Sequence, residues 1–258
     1  MENVNKTLYI PLYGKSYVSQ KGIILRDEQA EKIWAAEGFP LKGKSKSKWL
    51  AYYMGMRSAV FDRWLAERIA AEPEATVLHI GCGMDSRILR VREQNHPWYD
   101  VDFSEVIAQR KRYFEETTCY KMIAGDLRDP DWLQTVPGSK AIVVLEGVSM
   151  YVTPEQLKAA FENLYAHFET VWILMDCYTE FAAKASKYKN PINDVGVTQV
   201  YGLDDPNMLP GFKKEHEMTP QDLIDQLQGM EKTIFRKLYA GKMASKMYRL
   251  YEFQGGFR

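Results

Sequence analysis

Along Lys48–Ala71 the apolar residues Trp49, Tyr52, Tyr53, Met56, Val60, Phe61, Trp64 and Ile69 recur at the spacing that lines a helix, and Pro73 closes the pattern. The period then changes. Thr76–Ile80 (TVLHI) is a short β-branched run stopped by Gly81, residues 86–94 return to helical spacing, and residues 98–103 (WYDVDF) predict a second strand. The alternation continues with a helix over 104–117, a strand near Tyr120–Ala124, a short helix around Trp132 and a strand over 141–145. A helix then opens at Thr153-Pro154, and a strand follows over 171–177. Strands that are apolar throughout, each followed by a helix, predict an α/β fold with a doubly wound, mostly parallel sheet covered on both faces.

Residues 180–210 break this rhythm, with Pro191, Pro206 and Pro210 among scattered Tyr and Asn, and are expected to form an insertion over the site after the fifth strand. Beyond it, a run over 212–218, a helix over 220–228, a basic helical stretch over 234–244 and the alternating 247–253 (MYRLYEF) complete the sheet. Two more strands are expected there, one antiparallel to a neighbour.

Charge and cysteine content narrow the partners. Thirty-four basic residues balance thirty-four acidic ones, so the formal charge of +0 offers no global grip on nucleic acid or anionic lipid. The longest apolar runs, 141–145 and 171–175, fall far short of the roughly 20 residues that span a bilayer. The polar start MENVNKTLYIPLYGKS does not read as a secretory signal, and Cys82, Cys119 and Cys177 lack metal-type spacing or an even count. A cytoplasmic protein with no nucleic-acid partner, no membrane and no metal is expected. The lysine-rich 42–48 (KGKSKSK) reads as a solvated loop without a role.

Chemistry concentrates at the strand ends. Gly81-Cys82-Gly83 stands where a strand gives way to a helix, where glycines let backbone N–H groups approach a ligand; Ser86 occupies the third glycine position of the dinucleotide fingerprint, which weakens a pyrophosphate reading. Asp102, about 20 residues on, is placed to accept both ribose hydroxyls of an adenosine; the other reading is an N-cap of the next helix, a role Ser104 can fill. Asp126 follows the third strand, where it can accept the adenine amino group while Leu127 packs on the ring, and Glu146 follows the fourth. Successive strand ends bearing Gly-x-Gly, Asp, Asp and Glu describe one crevice.

The segments GCGMDSR, WYDVDFSEVI, MIAGDL and EGVSMY follow one another with a spacing that resembles the leucine carboxyl methyltransferase family of S-adenosylmethionine-dependent enzymes. The start LYIPLYGKS, the helix MRSAVFDRWL, the segment YGLDDP and the basic tail are similar to its branch of bacterial polyketide O-methyltransferases of the tetracenomycin carboxyl methyltransferase type. The resemblance implies a Rossmann-like class I methyltransferase in a single domain over 1–258. A helical cover would occupy 1–72, a cofactor-binding core 73–178, and a substrate-covering insertion with the last strands 179–258. It further implies that Arg57 reaches the methionine carboxylate of S-adenosyl-L-methionine, that the Gly81-Cys82-Gly83 loop supports the methionine or ribose, and that Asp102 holds the ribose. Asp126 and Leu127 would hold adenine, and Glu146 the methionine amino group. Arg57 has Asp62 as an alternative partner, and Lys15 stands where a family lysine that touches the cofactor carboxylate would be sought. Met84 and Ser86 replace the Leu and Thr common in relatives, which are mild departures.

A sulfonium methyl is already electrophilic, so the protein chiefly has to align an acceptor oxygen. A carboxylate is ionised at pH 7, whereas a phenol with a pKa near 10 gains from a base. His79 reads as a core residue, His96 and His167 lie near helix ends, and His216 alone falls where it can overhang the site; with no clear base, a small-molecule carboxylate is favoured over a phenol. Tyr151 can orient the acceptor with its hydroxyl or simply pack at a turn, and Tyr13, Tyr178, Tyr188 and Tyr201 are candidates for a lid wall. Three alternatives stand beside this reading. One is a protein C-terminal carboxylate as acceptor, and another is a non-catalytic cofactor-binding protein. The third is an NAD-dependent oxidoreductase, whose Y-x-x-x-K spacing at Tyr17 and Lys21 falls before the first strand and so in the wrong place. Oligomeric state is not legible.

Overall fold

The computed structural model describes residues 3–91, 96–189, 192–193, 196–197 and 199–257, apart from the side chains of 3–4, 187–189 and 243. Among these, seven strands build one sheet: β1 (Thr76–Ile80), β2 (Trp98–Asp102), β3 (Tyr120–Ala124), β4 (Lys140–Leu145), β5 (Thr170–Tyr178), β6 (Phe212–Glu215) and β7 (Tyr248–Gly255). Their order is β3-β2-β1-β4-β5-β7-β6, with β1 to β5 parallel and β7 antiparallel to both neighbours. The chain winds outward from β1 to β3 and then restarts at β4 on the other side of β1. Between β1 and β4 the flanking connections therefore diverge, and a crevice opens at the carboxyl ends of the strands.

Alternate residues of each strand serve opposite faces. Val77, Ile142, Val144, Trp172 and Leu174 join the N-terminal helices in one buried cluster, while Leu78, Ile80, Val143, Leu145, Ile173 and Phe253 join the Pro154–His167 helix in another. That helix starts with a complete capping box between Thr153 and Gln156, with Pro154 in its first turn. The N-terminal cover consists of helices Asn3–Lys6, Tyr9–Gln20, Glu28–Glu37 and Lys48–Ala71. Over 51–61 the long helix is buried nearly all round, and there the Tyr9–Gln20 helix crosses it at Gly14 and Gly55. A Cβ on Gly14 would stand 2.7 Å from Met54 Cβ, and one on Gly55 would stand 2.8 Å from Val18 Cγ2.

Several expected elements are shorter. The helix expected over 86–94 is one turn, Arg87–Arg90, which ends at a non-helical Val91; residues 92–95, like Pro191, lie outside the described residues. The helix expected to run to 117 stops at Arg110 and gives way to a turn over 111–113; beyond it the Thr117 side chain takes the Cys119 and Tyr120 amides and leads the chain into β3. The basic stretch breaks at an extended Ala240 into Gly229–Tyr239 and Gly241–Ser245. β6 ends at Glu215, and the helix after it covers only Gln221–Ile224.

Phe161 is fully buried on the Pro154–His167 helix, with its ring edge-on to Phe253 at 5.0 Å. Phe161→Ala should cost about 3–5 kcal/mol of unfolding free energy, read as a lower urea midpoint at unchanged m-value.

Candidate active site

The crevice is a cavity of about 740 Å³, within the range of about 300–1,000 Å³ typical of small-molecule sites. Its floor is the ends of β1 to β4, its roof is the Tyr9–Gln20 helix with the start of the Lys48–Ala71 helix, and Ile192, Leu238, Ala244 and Met247 also line it.

At the end of β1, Gly81 and Gly83 take positive φ angles of 69° and 51°. A Cβ on Gly81 would stand 2.2 Å from Val148 Cγ2, so this turn has room only for glycine. Cys82 between them is buried, and burial pushes its thiol up, away from nucleophilic use. The Asp102 carboxylate lies on the wall with each oxygen anchored: the Gly83 amide donates to Oδ2 (2.7 Å) and the Phe103 amide to Oδ1 (2.8 Å). Burial raises its pKa against these two hydrogen bonds. Its reading as an N-cap falls, and so does the capping role of Ser104, because Ser104 opens the Ser104–Arg110 helix and no side chain caps it. Asp126 and Leu127 follow β3 on the same wall. Burial works to raise the Asp126 carboxyl, but hydrogen bonds and charge from Arg128 lower it overall, and the Trp132 indole donates to its carbonyl at 2.9 Å.

At the end of β4 the acid-base pairing becomes dense. Glu146 is buried; its Oε1 accepts from Arg57 Nε (3.0 Å) and Ser58 Oγ (2.9 Å), and its Oε2 accepts from Arg87. Burial works to raise its pKa, yet Arg87 and Arg57 outweigh it and hold the carboxyl at about 2. Arg57 continues through Nη1 to Asp176 Oδ2 (2.9 Å) and the Tyr248 hydroxyl (3.1 Å), while the Gly147 amide donates to Asp176 Oδ1 (2.6 Å). Asp62, the alternative partner, instead serves Arg87 and Arg90, and Arg57 pairs with two buried acids, Glu146 on the cavity wall and Asp176 on β5. Lys15 does reach the wall; it is buried and paired with Asp85 at 2.9 Å. Ser86, in place of a third glycine, is buried and donates to Asp27, tying the loop to the cover.

A group of tyrosines closes the far end. Tyr151, Tyr178, Tyr53 and Tyr248 all line the cavity, with the Tyr248 ring edge-on to Tyr178 (4.8 Å) and Tyr53 (6.0 Å). The Tyr53 hydroxyl is buried without a hydrogen-bond partner among the described residues. Burial raises the pKa of Tyr53, Tyr151 and Tyr248, so these phenols keep their protons and can donate but not act as bases. Tyr13 and Tyr201 do not line the cavity, and the Tyr188 side chain lies outside the described residues. Tyr17 and Lys21 are also off the wall, where Lys21 donates to Tyr52. His216 does not overhang the site: its Nε2 lies 2.6 Å from Glu252 on β7, because β6 and β7 carry it to the sheet edge. His79 is buried as expected, with Nδ1 3.3 Å from Asp100 and Nε2 3.2 Å from Arg87. The 42–48 segment is not idle, because Lys44 and Ser47 line the cavity; Ser45 is buried and Ser47 caps the long helix, which draws the turn inward.

Sequence reading missed Tyr53, Asp176, Arg87 and Tyr248. Tyr53 had a signal, one helical turn before Arg57; Tyr248 had none, since only the antiparallel register sets it against Tyr178. Among the described residues no group of three or more His, Cys, Asp or Glu gathers to hold a metal ion.

The family model of leucine carboxyl methyltransferases matches residues 7–165, a stretch that includes the roof helices and the ends of β1 to β4. Among curated proteins, the tetracenomycin polyketide synthesis O-methyltransferase TcmP of Streptomyces glaucescens is 30% identical over 186 residues, covering 69% of this chain and 69% of TcmP. The S-adenosyl-L-methionine-dependent methyltransferase dpfgK of Gibberella zeae is 26% identical over 195 residues, covering 68% of this chain and 65% of that protein, slightly under two thirds of its length. Among solved structures, magnesium protoporphyrin IX methyltransferase (ChlM) from Synechocystis PCC 6803 with bound SAH shares the fold at a TM-score of 0.50 and 12% identity, covering 89% of this chain and 94% of the other.

Removing Glu146 leaves two buried guanidinium groups short of a partner, so Glu146→Ala should lose about 3–5 kcal/mol of stability. The folded carboxyl at about 2 lies below its unfolded value of about 4.3. Its contribution is therefore full above that value and fades as pH falls toward 2. Urea titrations across this window should show a flatter decline for Glu146→Gln than for the parent chain.

Proposed function

This chain belongs to the leucine carboxyl methyltransferase family and is an S-adenosylmethionine-dependent methyltransferase; from that premise we propose that it methylates a carboxylate of a small, largely apolar acceptor. The observation that carries the proposal is the group of protonated tyrosines beside Arg57, with no base among them. Neutral hydroxyls on Tyr53 and Tyr151 would donate to an acceptor carboxylate, which is already ionised near neutrality and needs no proton removed. A phenol would need a base, and among the described residues the one histidine on the wall, His79, is buried between Asp100 and Arg87. The similarity to TcmP supports an acceptor of polyketide type, and a mostly apolar cavity of this size favours a small molecule over a protein C-terminus. We place this activity in a single domain in the cytoplasm, where its three cysteines stay as free thiols.

The wall residues fit the cofactor. Asp102, steadied by two amides, would accept the ribose hydroxyls; Asp126 and Leu127 would hold adenine; Gly81 and Gly83, with Cys82 between them, leave no Cβ in the way of the ribose and methionine. Lys15 and Arg57 would face the methionine carboxylate. Glu146 has taken three donors of the roughly four a carboxylate can accept, which leaves one position for the amino group. When bound, the cofactor supplies an electrophilic methyl group. The chain's own part would be to aim the acceptor oxygen along the line of transfer and keep water out, a part that falls to the roof helices and the tyrosines.

Calorimetric titration with S-adenosylhomocysteine should show Asp102→Ala binding on the order of 100-fold more weakly, while NADH binds neither protein. Because the ionised Asp102 is the accepting form and its pKa is raised, affinity should fall as pH drops through a value above the usual aspartate range near 3.9, and Asp102→Asn should not show this step. Tyr151→Phe should keep cofactor affinity and lower kcat/KM about tenfold. The methylated product should be an ester that alkali hydrolyses; an alkali-stable ether would overturn the carboxylate reading.

A further inference from the structure

The formal charge of +0 is an average over a surface that is not uniform. The Gly229–Tyr239 helix is anchored by a fully buried Phe235, yet on its other side Met230, Ile234 and Leu238 follow one another at four-residue spacing, 80%, 36% and 53% exposed. Leu238 is also on the cavity wall, as is Met247, 44% exposed. This apolar stripe thus runs along the surface into the mouth of the cavity.

Lysines surround it. Lys237 borders the stripe, Lys242 and Lys246 follow it in the chain, and Lys42, Lys44 and Lys46 lie on the turn across the mouth; all are exposed, and their ammonium groups have no ion-pair partner among the described residues. The two segments are held together by Trp49 stacked on Tyr239 (5.8 Å) and by Lys48 bonded to Glu231 (2.7 Å). The nearby acids are already engaged, Glu231 by Lys48 and Tyr52 and Asp225 by Lys232 and Arg236.

We propose that this rim docks on an anionic phospholipid surface, with Met230, Ile234, Leu238 and Met247 set into the headgroup boundary and the lysines on lipid phosphates, so that the cavity mouth faces the membrane. An exposed apolar stripe flanked by lysines is the chemistry of a helix lying in the interface, and long lysine stems let the charge reach the phosphates while the stem stays apolar. A protein partner fits less well, since protein interfaces are depleted in lysine and enriched in arginine and aromatic residues. A second copy fits worst, because a two-fold contact through this rim sets like charges against one another. No described helix is long and apolar enough to cross a membrane, so the contact is a docking on the surface. The balanced charge that predicted no lipid contact hid this segregation.

The full chain is sedimented with vesicles of phosphatidylcholine alone and of phosphatidylcholine with phosphatidylglycerol, without acceptor, so the outcome does not depend on the acceptor reading. Binding should occur to the anionic vesicles only and vanish at about 1 M salt. The doubly substituted chains Met230→Asp with Ile234→Asp, and Lys237→Glu with Lys242→Glu, should each bind at least about tenfold more weakly while keeping parental S-adenosylhomocysteine affinity as the check on folding. Equal sedimentation with both vesicle types, or binding that survives both pairs of substitutions, overturns the proposal. So does a dimer in light scattering that Met230→Asp with Ile234→Asp disperses without any vesicle binding, which would assign the rim to a second copy.

Discussion

Two guanidinium groups shut away from water must be paired, and Arg57 and Arg87 are paired through one carboxylate, that of Glu146. Arg57 comes from the long N-terminal helix, Arg87 from the turn after β1 and Glu146 from the end of β4, so this contact locks the cover onto the sheet at its switch point. Everything on the cavity wall is referred to it: the Gly81 turn packs on Val148 two residues beyond Glu146, and Asp176 and Tyr248 on the next strands are oriented by the remaining face of Arg57.

The acids of the site fall into two groups for one reason. Glu146 and Asp85, each ion-paired with two arginines, stay ionised well into acid in spite of burial, whereas Asp102, whose two side-chain hydrogen bonds come from backbone amides, is pushed up by burial. Asp176 is pushed up as well, because its burial outweighs the single arginine it bonds, Arg57, which it shares with Glu146. One end of the cavity is thus set by charge, while its tyrosine end is apolar and neutral. The proposed cofactor pose would set its zwitterionic amino-acid tail at the charged end and leave the tyrosine end to the acceptor.

The two halves also differ in how they are built. The half proposed to hold the nucleoside stands on consecutive strand ends, where sheet geometry places one residue after another in line. The half proposed for the acceptor is assembled from the long helix, the turn after β4, the end of β5, the start of β7 and the Gly229–Tyr239 helix, segments far apart in the chain. Loops and helix ends of this kind carry specificity because a rigid sheet holds them.

Local pattern determined much of this protein. The strand-helix alternation, the extent of the Lys48–Ala71 helix, β1 and β3, and the strand-end series Gly81, Asp102, Asp126 and Glu146 were legible because periodicity and turn chemistry act over a few residues and a parallel sheet then sets those ends side by side. The tertiary structure alone decided that Arg57 faces Glu146 and Asp176 rather than Asp62, that His216 turns to Glu252 at the sheet edge, and that Tyr248 meets Tyr178. It likewise decided that Lys44 and Leu238, almost two hundred residues apart, share one cavity mouth. Partner choice among buried charges and the register of a distant strand depend on which surfaces meet, and nothing in a residue's own neighbourhood along the chain encodes that.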